Sequence, residues 1–275
     1  MDCFRNQKDN IIRVYNILAL GSGFLSKVQI LLLFFWPKIM SIRYIWRISK
    51  YIPYIFKNIR MRNADNSATN IIHLHSGSEI KIFRGIFIDK EYEIDMKYKP
   101  GIIFDIGSNI GLSIIYFRHK YPEAKIFGFE PNPRAFVRLK EAVNKIKDVK
   151  VFNIAISDKN GEEKCFLHSK ISSSSLLERV PGQECVIVET KTLDDVMEDL
   201  AMDNIDLLKF DVEGSEARIF SSFRNLCKIN KIIGEVHLDL MDVAKEEFLN
   251  NFEAFSVNID WLNARRFLMR ATIIR

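Results

Sequence analysis

The loop Asp105-Ile106-Gly107-Ser108-Asn109-Ile110-Gly111 is the first stretch of this sequence with residue types and spacing suited to ligand chemistry. Glycines let the backbone turn tightly and approach a ligand, and a following helix offers unpaired N–H groups to an anion. A dinucleotide-binding loop wants G-x-G-x-x-G, but here the glycines stand at 107 and 111 with Asn109 between them. A pyrophosphate cradle is therefore poorly supported, and a smaller anion such as an amino-acid carboxylate fits better. Glu130, in Phe129-Glu130-Pro131-Asn132, follows Gly107 by 23 residues, where an acidic side chain meets a ribose diol. Further on, Asp211, Glu213, Glu216, Glu235 and His237 are candidates for moving a proton. Imidazole titrates near neutrality, so His237 is the first choice as base, beside the plainer reading of a structural hydrogen bond to a core carbonyl. Asp211 and Glu213 equally suit orienting a substrate. No metal is expected; a divalent cation on Asp211, Glu213, Glu235 and His237 is the lesser alternative, oxygen-rich sets with one imidazole being plausible ligands. His73, His75, His119 and His168 lack such a context and read as structural.

These residues need a frame that brings them together. Residues 102–106, 125–129, 149–154, 205–210 and 231–236 are short runs rich in Ile, Val and Phe. Helical stretches are expected at 110–120, 133–145 and 215–226. Such alternation implies parallel strands with helical crossovers, hence an α/β doubly wound sheet with ligands beyond the carboxyl ends of its strands. Upstream, 71–75 and 79–83 alternate around Ser76-Gly77-Ser78, a hairpin signature, after a polar linker at 64–70.

The chain has 275 residues, 48% hydrophobic and 27% charged, which is enough for a core. Cys3, Cys165, Cys185 and Cys227 are scattered and read as reduced thiols, a Cys165–Cys185 bridge across a hairpin being a minor alternative. The net charge of +5 is uneven: residues 1–64 carry eleven Lys/Arg against Asp2 and Asp9, leaving the remainder acidic. Nucleic-acid binding by the core is disfavoured accordingly. No secretory signal pattern is recognised. Residues 17–36 are nearly all apolar, yet Lys27, Gln29 and the small polar residues bring the insertion sum close to zero. Beyond them, Arg43, Arg47 and Lys50 share one helical face among Trp36, Tyr44, Trp46, Tyr51 and Tyr54, with Pro37 and Pro53 as breaks. Three readings stay open for residues 17–62: a basic amphipathic segment on an anionic membrane, which is favoured, a helical cap, or a true span.

Four motifs in order resemble the FkbM family of methyltransferases over residues 101–237. They are the 105–111 loop, Phe129-Glu130-Pro131-Asn132-Pro133, Asn153-Ile154-Ala155-Ile156-Ser157-Asp158, and Asp206-Leu207-Leu208-Lys209-Phe210-Asp211-Val212-Glu213-Gly214-Ser215-Glu216. The resemblance implies a Rossmann-like class I methyltransferase fold with S-adenosylmethionine in the crevice, and O-methylation of hydroxyls on sugars, glycans or related natural products. It implies that Asp105, Gly107 and Asn109 hold the methionine part, Glu130 the ribose, and Asn132 and Ala155 the adenine surroundings, with Ser108 and Gly111 also binding the cofactor. A hairpin of 163–167 with 185–190 would flank a serine loop at 172–175. The expected organisation is a basic helical segment at 1–63 and a methyltransferase domain at 64–275, cytoplasmic or at the cytoplasmic membrane face, with a small-molecule, glycan or lipid-linked acceptor. A membrane-tethered, non-catalytic adenosyl-ligand module is the alternative, and a nicotinamide-dependent oxidoreductase ranks third.

Overall fold

A computed structural model describes residues 18–40, 55–56, 58–62, 69–168 and 174–274. Outside them lie most of the basic aromatic stretch expected to form amphipathic helices (41–54), the linker residues 64–68, and Ser172 and Ser173 of the serine loop. The chain forms two compact units, Met1–Glu91 with Ile115–Pro122, and Tyr92–Ile114 with Glu123–Arg275.

In the first unit, α1 (Phe24–Met40) precedes an antiparallel pair, β1 (Ile59–Arg62) and β2 (Thr69–Ile72). Helix α1 buries Ser26, Gln29, Ile30 and Leu33, and both polar members are used. Gln29 Nε2 donates to the Ile55 carbonyl at 2.7 Å, and Ser26 Oγ accepts from the Arg60 N–H at 2.9 Å. Among the described residues no helix is long and apolar enough to cross a membrane. The hairpin expected at 71–83 is also corrected, because Gly77–Phe83 is a helix, α2. Ser76-Gly77-Ser78-Glu79 carries the sequence pattern of a capping box, with the glutamate shifted by one residue onto the His75 N–H. Ser76 Oγ accepts from the Glu79 N–H at 3.3 Å, and Glu79 reaches back to the His75 N–H at 2.8 Å. Ile80 and Phe83, three apart, form the buried face.

The second unit is built on a seven-stranded sheet of order β11-β12-β10-β9-β3-β4-β5. Its strands are β3 (Ile102–Ile106), β4 (Lys125–Phe129), β5 (Val149–Phe152), β9 (Ile205–Phe210), β10 (Ile229–His237), β11 (Phe255–Asn263) and β12 (Arg266–Ile273). Strands β10, β9, β3, β4 and β5 run parallel, while β12 is antiparallel to both β10 and β11. The expected parallel strands are thus present, with β5 ending two residues early and β10 extended at both ends. That extension makes His237 the last strand residue, paired with Arg266 of β12. Phe104, Phe129, Leu208, Phe210, Ile232 and Phe267 belong to one core, and burial on both faces explains the unbroken apolar runs.

Helix α3 (Leu112–Lys120) starts two residues later than expected, because Asn109 (φ 49°) and Gly111 (φ 88°) keep the loop open. Helix α4 (Pro133–Val143) starts with proline and is capped by Asn132, whose side chain accepts from the Arg134 N–H at 2.9 Å. A second sheet holds β6 (Ala155–Ile156), β7 (Gly161–Phe166) and β8 (Cys185–Lys191), followed by α5 (Leu193–Asp199). Here Cys165 pairs with Val186 and Cys185 with Phe166, so the two thiols point to opposite faces and remain free. Burial pushes the Cys165 thiol up to about 12. Helix α6 (Glu216–Ser222) is shorter than expected, and α7 (Lys245–Asn250) and the β11–β12 hairpin follow His237, where no element had been expected.

Candidate active site

The order of the sheet reverses at β3, with β9 on one side and β4 on the other, the place where an open α/β sheet leaves a crevice. A crevice open to solvent lies there. Its wall takes Gly107 and Asn109 from the loop after β3, Glu130 from the end of β4, Ala155 from β6, Ser174 and Ser175, and Asp211, Glu213 and Ser215 after β9.

The loop after β3 is shaped by close packing. Gly107 has φ 77°, and a Cβ there would lie 1.9 Å from the Asp211 carbonyl oxygen. The N–H groups of Gly107 and Ser108 both donate to the Phe129 carbonyl, at 2.9 and 3.0 Å, locking the loop to β4. Asn109 then donates its N–H to Glu130 Oε2 at 2.7 Å, and Asn132 donates its own to Oε1 at 2.9 Å. Each Glu130 oxygen keeps room for one more donor. Burial pushes this carboxyl up to about 7, against the two backbone donors and the Lys209 charge, which lower it. Two further polar atoms of the wall, Asn109 Oδ1 and Ser215 Oγ, are buried without a hydrogen-bond partner among the described residues.

Of the eight residues expected to bind cofactor, Gly107, Asn109, Glu130 and Ala155 stand on the crevice wall. Asp105, Ser108, Gly111 and Asn132 stand behind it. Asp105 is fully buried, paired with Lys209 at 2.9 Å and hydrogen-bonded by Ser113. Ser108 Oγ donates to the Asp105 carbonyl at 2.8 Å, and a Cβ on Gly111 would press on Leu139 at 2.9 Å. Asn132 caps α4 and donates through Nδ2 to Ser174 Oγ at 2.8 Å, which ties the serine loop to the crevice. Sequence reasoning passed over Lys209, although a lysine inside an otherwise apolar strand implies a buried acid. Asp105 is that acid, and the two residues pair directly in the β3–β9 register. Lys209 also donates to the Gly107 carbonyl at 2.8 Å and lies 5.3 Å from the Tyr92 ring centre.

Asp211, Glu213 and His237 do come together. Glu213 has φ 54°, a left-handed backbone that bulky side chains rarely adopt, and Ser175 Oγ donates to its carbonyl at 2.7 Å. His237 Nδ1 sits 2.7 Å from Glu216 Oε1, and both side chains are buried. Its Nε2 faces Glu235 Oε1 at 3.4 Å, Glu213 Oε2 at 3.6 Å and Asp211 Oδ1 at 3.9 Å. Burial works against a charged imidazole, but the hydrogen bond and charge of Glu216, with Asp211 and Glu213, raise His237 to about 9. Burial, then the Asp211 charge, raises Glu213, and the same causes push Glu235 up to about 7. Two arginines absent from the sequence reading border the cluster. Arg179 bonds Glu213 at 2.8 Å, and Arg266 bonds Asp239 at 2.8 Å while standing 3.8 Å from Glu235.

The chain is similar to several characterised proteins. It is 33% identical over 171 residues to methyltransferase sdnD of Sordaria araneosa, covering 50% of this chain and 66% of that protein. To the 2-O-methyltransferase NoeI of Sinorhizobium fredii it is 29% identical over 163 residues, covering 52% and 63%. To the hexuronic acid methyltransferase AglP of Haloferax volcanii it is 29% identical over 148 residues, covering 52% and 60%. The chain therefore spans less than two thirds of the length of each of these relatives. The methyltransferase FkbM domain matches residues 105–267, which hold both the crevice wall and the acidic cluster. With that match and its seven-stranded, mostly parallel sheet, the chain belongs to the FkbM family of S-adenosylmethionine-dependent methyltransferases.

Proposed function

We propose that this protein methylates a hydroxyl oxygen of a sugar, a glycan or a related natural product. The observation that carries the reading is the crevice wall. It presents a buried carboxylate with one acceptor position open on each oxygen, and two buried polar atoms, Asn109 Oδ1 and Ser215 Oγ, without partners among the described residues. A ribose diol would satisfy Glu130, and the ammonium of an amino-acid group would satisfy Asn109. S-adenosylmethionine, when bound, supplies the methyl group. Gly107 lets the loop come close, and Ala155 leaves room at the far side.

Methyl transfer to oxygen needs alignment and removal of a proton. Asp211 and Glu213 line the same crevice, with His237 and Glu235 beside them, so the acceptor hydroxyl belongs at this end. Oxygen as the acceptor atom is supported by the 2-O-methyltransferase named among the relatives, and a sugar by the hexuronic acid methyltransferase. The test is formation of S-adenosylhomocysteine from S-adenosylmethionine across a panel of glycans and hydroxylated natural products. Turnover is expected with free hydroxyls and lost when those hydroxyls are already methylated. Turnover on amines alone would contradict the reading.

The first unit supports peripheral contact with an anionic membrane. Along α1, Leu25, Val28, Leu32 and Phe35 repeat at three- and four-residue spacing and are exposed, beside Phe24 at 85% exposure. The surrounding sequence, residues 1–64, is strongly basic, which complements an anionic lipid surface. A lipid-linked acceptor would fit such a placement.

A further inference from the structure

We propose that Asp211, Glu213 and His237 bind one divalent cation of the magnesium or manganese kind at the acceptor end of the crevice. The proposal rests on the reading of that crevice as the site of methyl transfer and adds a metal to it. One oxygen from each carboxylate and one imidazole nitrogen lie within 4.8 Å of one another. Metal–ligand bonds of about 2.0–2.2 Å set two ligand atoms of one ion roughly 3–4 Å apart at ordinary coordination angles. The separations from His237 Nε2, 3.6 Å to Glu213 and 3.9 Å to Asp211, fall in that range and are too long for hydrogen bonds.

The imidazole supplies an independent reason. Its side chain is 1% exposed, and its Nε2 makes no hydrogen bond among the described residues. Its Nδ1 is held by Glu216, itself fully buried, at 2.7 Å. Metal-binding histidines are oriented in this way, through a carboxylate on the other ring nitrogen. What remains is a nitrogen aimed at two carboxylates of the crevice wall, with Glu235 as a third at 3.4 Å. Three carboxylates around one nitrogen call for positive charge, supplied by a proton on Nε2 or by a metal ion that takes the proton's place. The neighbouring arginines answer this only in part. Arg179 bonds one oxygen of Glu213 at 2.8 Å, while Arg266 engages Asp239 at 2.8 Å and stays 4.0 Å from Glu213. Two carboxylates and one imidazole suit magnesium or manganese better than zinc, which favours more nitrogen and sulfur. Asp211 and Glu213 also face the crevice, so an ion there has positions left for a hydroxyl oxygen, whose pKa it would lower.

The experiment titrates manganese chloride into the full chain and follows free manganese by electron paramagnetic resonance. S-adenosylhomocysteine binding is measured in parallel by calorimetry. The expected result is one manganese per chain, with affinity at least tenfold weaker in His237→Gln and in Asp211→Asn, while S-adenosylhomocysteine still binds both variants. If His237→Gln fails to fold, Asp211→Asn decides, because Asp211 is partly exposed and its loss leaves no buried charge. A chain that binds S-adenosylhomocysteine but no stoichiometric manganese would overturn the metal site and leave the methyltransferase reading standing. Wild-type manganese affinity in a folded variant would overturn it as well.

Discussion

At Glu130 the proposed ribose contact is coupled to pH. The two Glu130 oxygens are positioned by the N–H groups of Asn109 and Asn132. Replacing it by alanine should remove two charge-assisted hydrogen bonds to ribose, each worth roughly 1.5–3 kcal/mol, and weaken S-adenosylmethionine binding at least tenfold. Burial also pushes its carboxyl up from 4.5 to about 7. A raised carboxyl pKa means that the folded, ligand-free chain holds this proton more tightly than the unfolded chain. Its contribution to stability is therefore full below 4.5 and falls as pH rises through about 7. A ligand that donates O–H groups binds the ionised form, so affinity should rise with pH through 7 and then level. Calorimetry between pH 5.5 and 8.5 checks this, and a flat profile would contradict it. Deeper in, the Asp105–Lys209 pair is almost wholly excluded from water. Lys209→Met should strand the Asp105 charge and cost about 3–5 kcal/mol in urea unfolding. The place of Glu130 on the crevice wall was legible in the sequence because its spacing from Gly107 follows the geometry of strand, helix and strand. The places of Asp105, Ser108 and Asn132 behind the wall were not, since motif spacing fixes the turn but not which atoms face inward.

At the scale of elements, the parallel strands were legible because burial on both faces writes a continuous apolar run. The first-unit hairpin was misread, since five alternating residues fit a strand as well as a short helix. The capping-box pattern Ser76–Glu79 held the missing signal. The β11–β12 hairpin went unread although Val257, Ile259 and Trp261 alternate with polar residues. Its consequence for the site is direct, because β12 carries Arg266 and pairs along the strand that ends in His237. Where β3 turns into its loop, Gly107 combines a positive φ with the closest backbone approach in the crevice. Gly107→Ala should therefore destabilise the protein by at least about 2 kcal/mol, read as a lowered thermal midpoint. A midpoint unchanged within error would contradict the packing described here.

Over the whole molecule, charge and chemistry are segregated. The basic excess lies within residues 1–64, while the crevice and its acids lie in the second unit. The apolar face of α1 was only partly legible, because the run at 17–36 shows hydrophobicity but not which residues stay uncovered. If that face meets lipid, the double variant Leu25→Glu, Leu32→Glu should sediment less with anionic liposomes than the wild type, without loss of cofactor affinity. The central claim is that the crevice at the carboxyl ends of β3, β4 and β9 binds S-adenosylmethionine through Glu130. Calorimetric titration of S-adenosylhomocysteine into the wild-type chain and into Glu130→Ala tests it most directly. The account predicts one equivalent bound by the wild type, and at least tenfold weaker binding by a variant that keeps its circular dichroism spectrum. No binding to the wild type, or equal affinity in the two proteins, would contradict it.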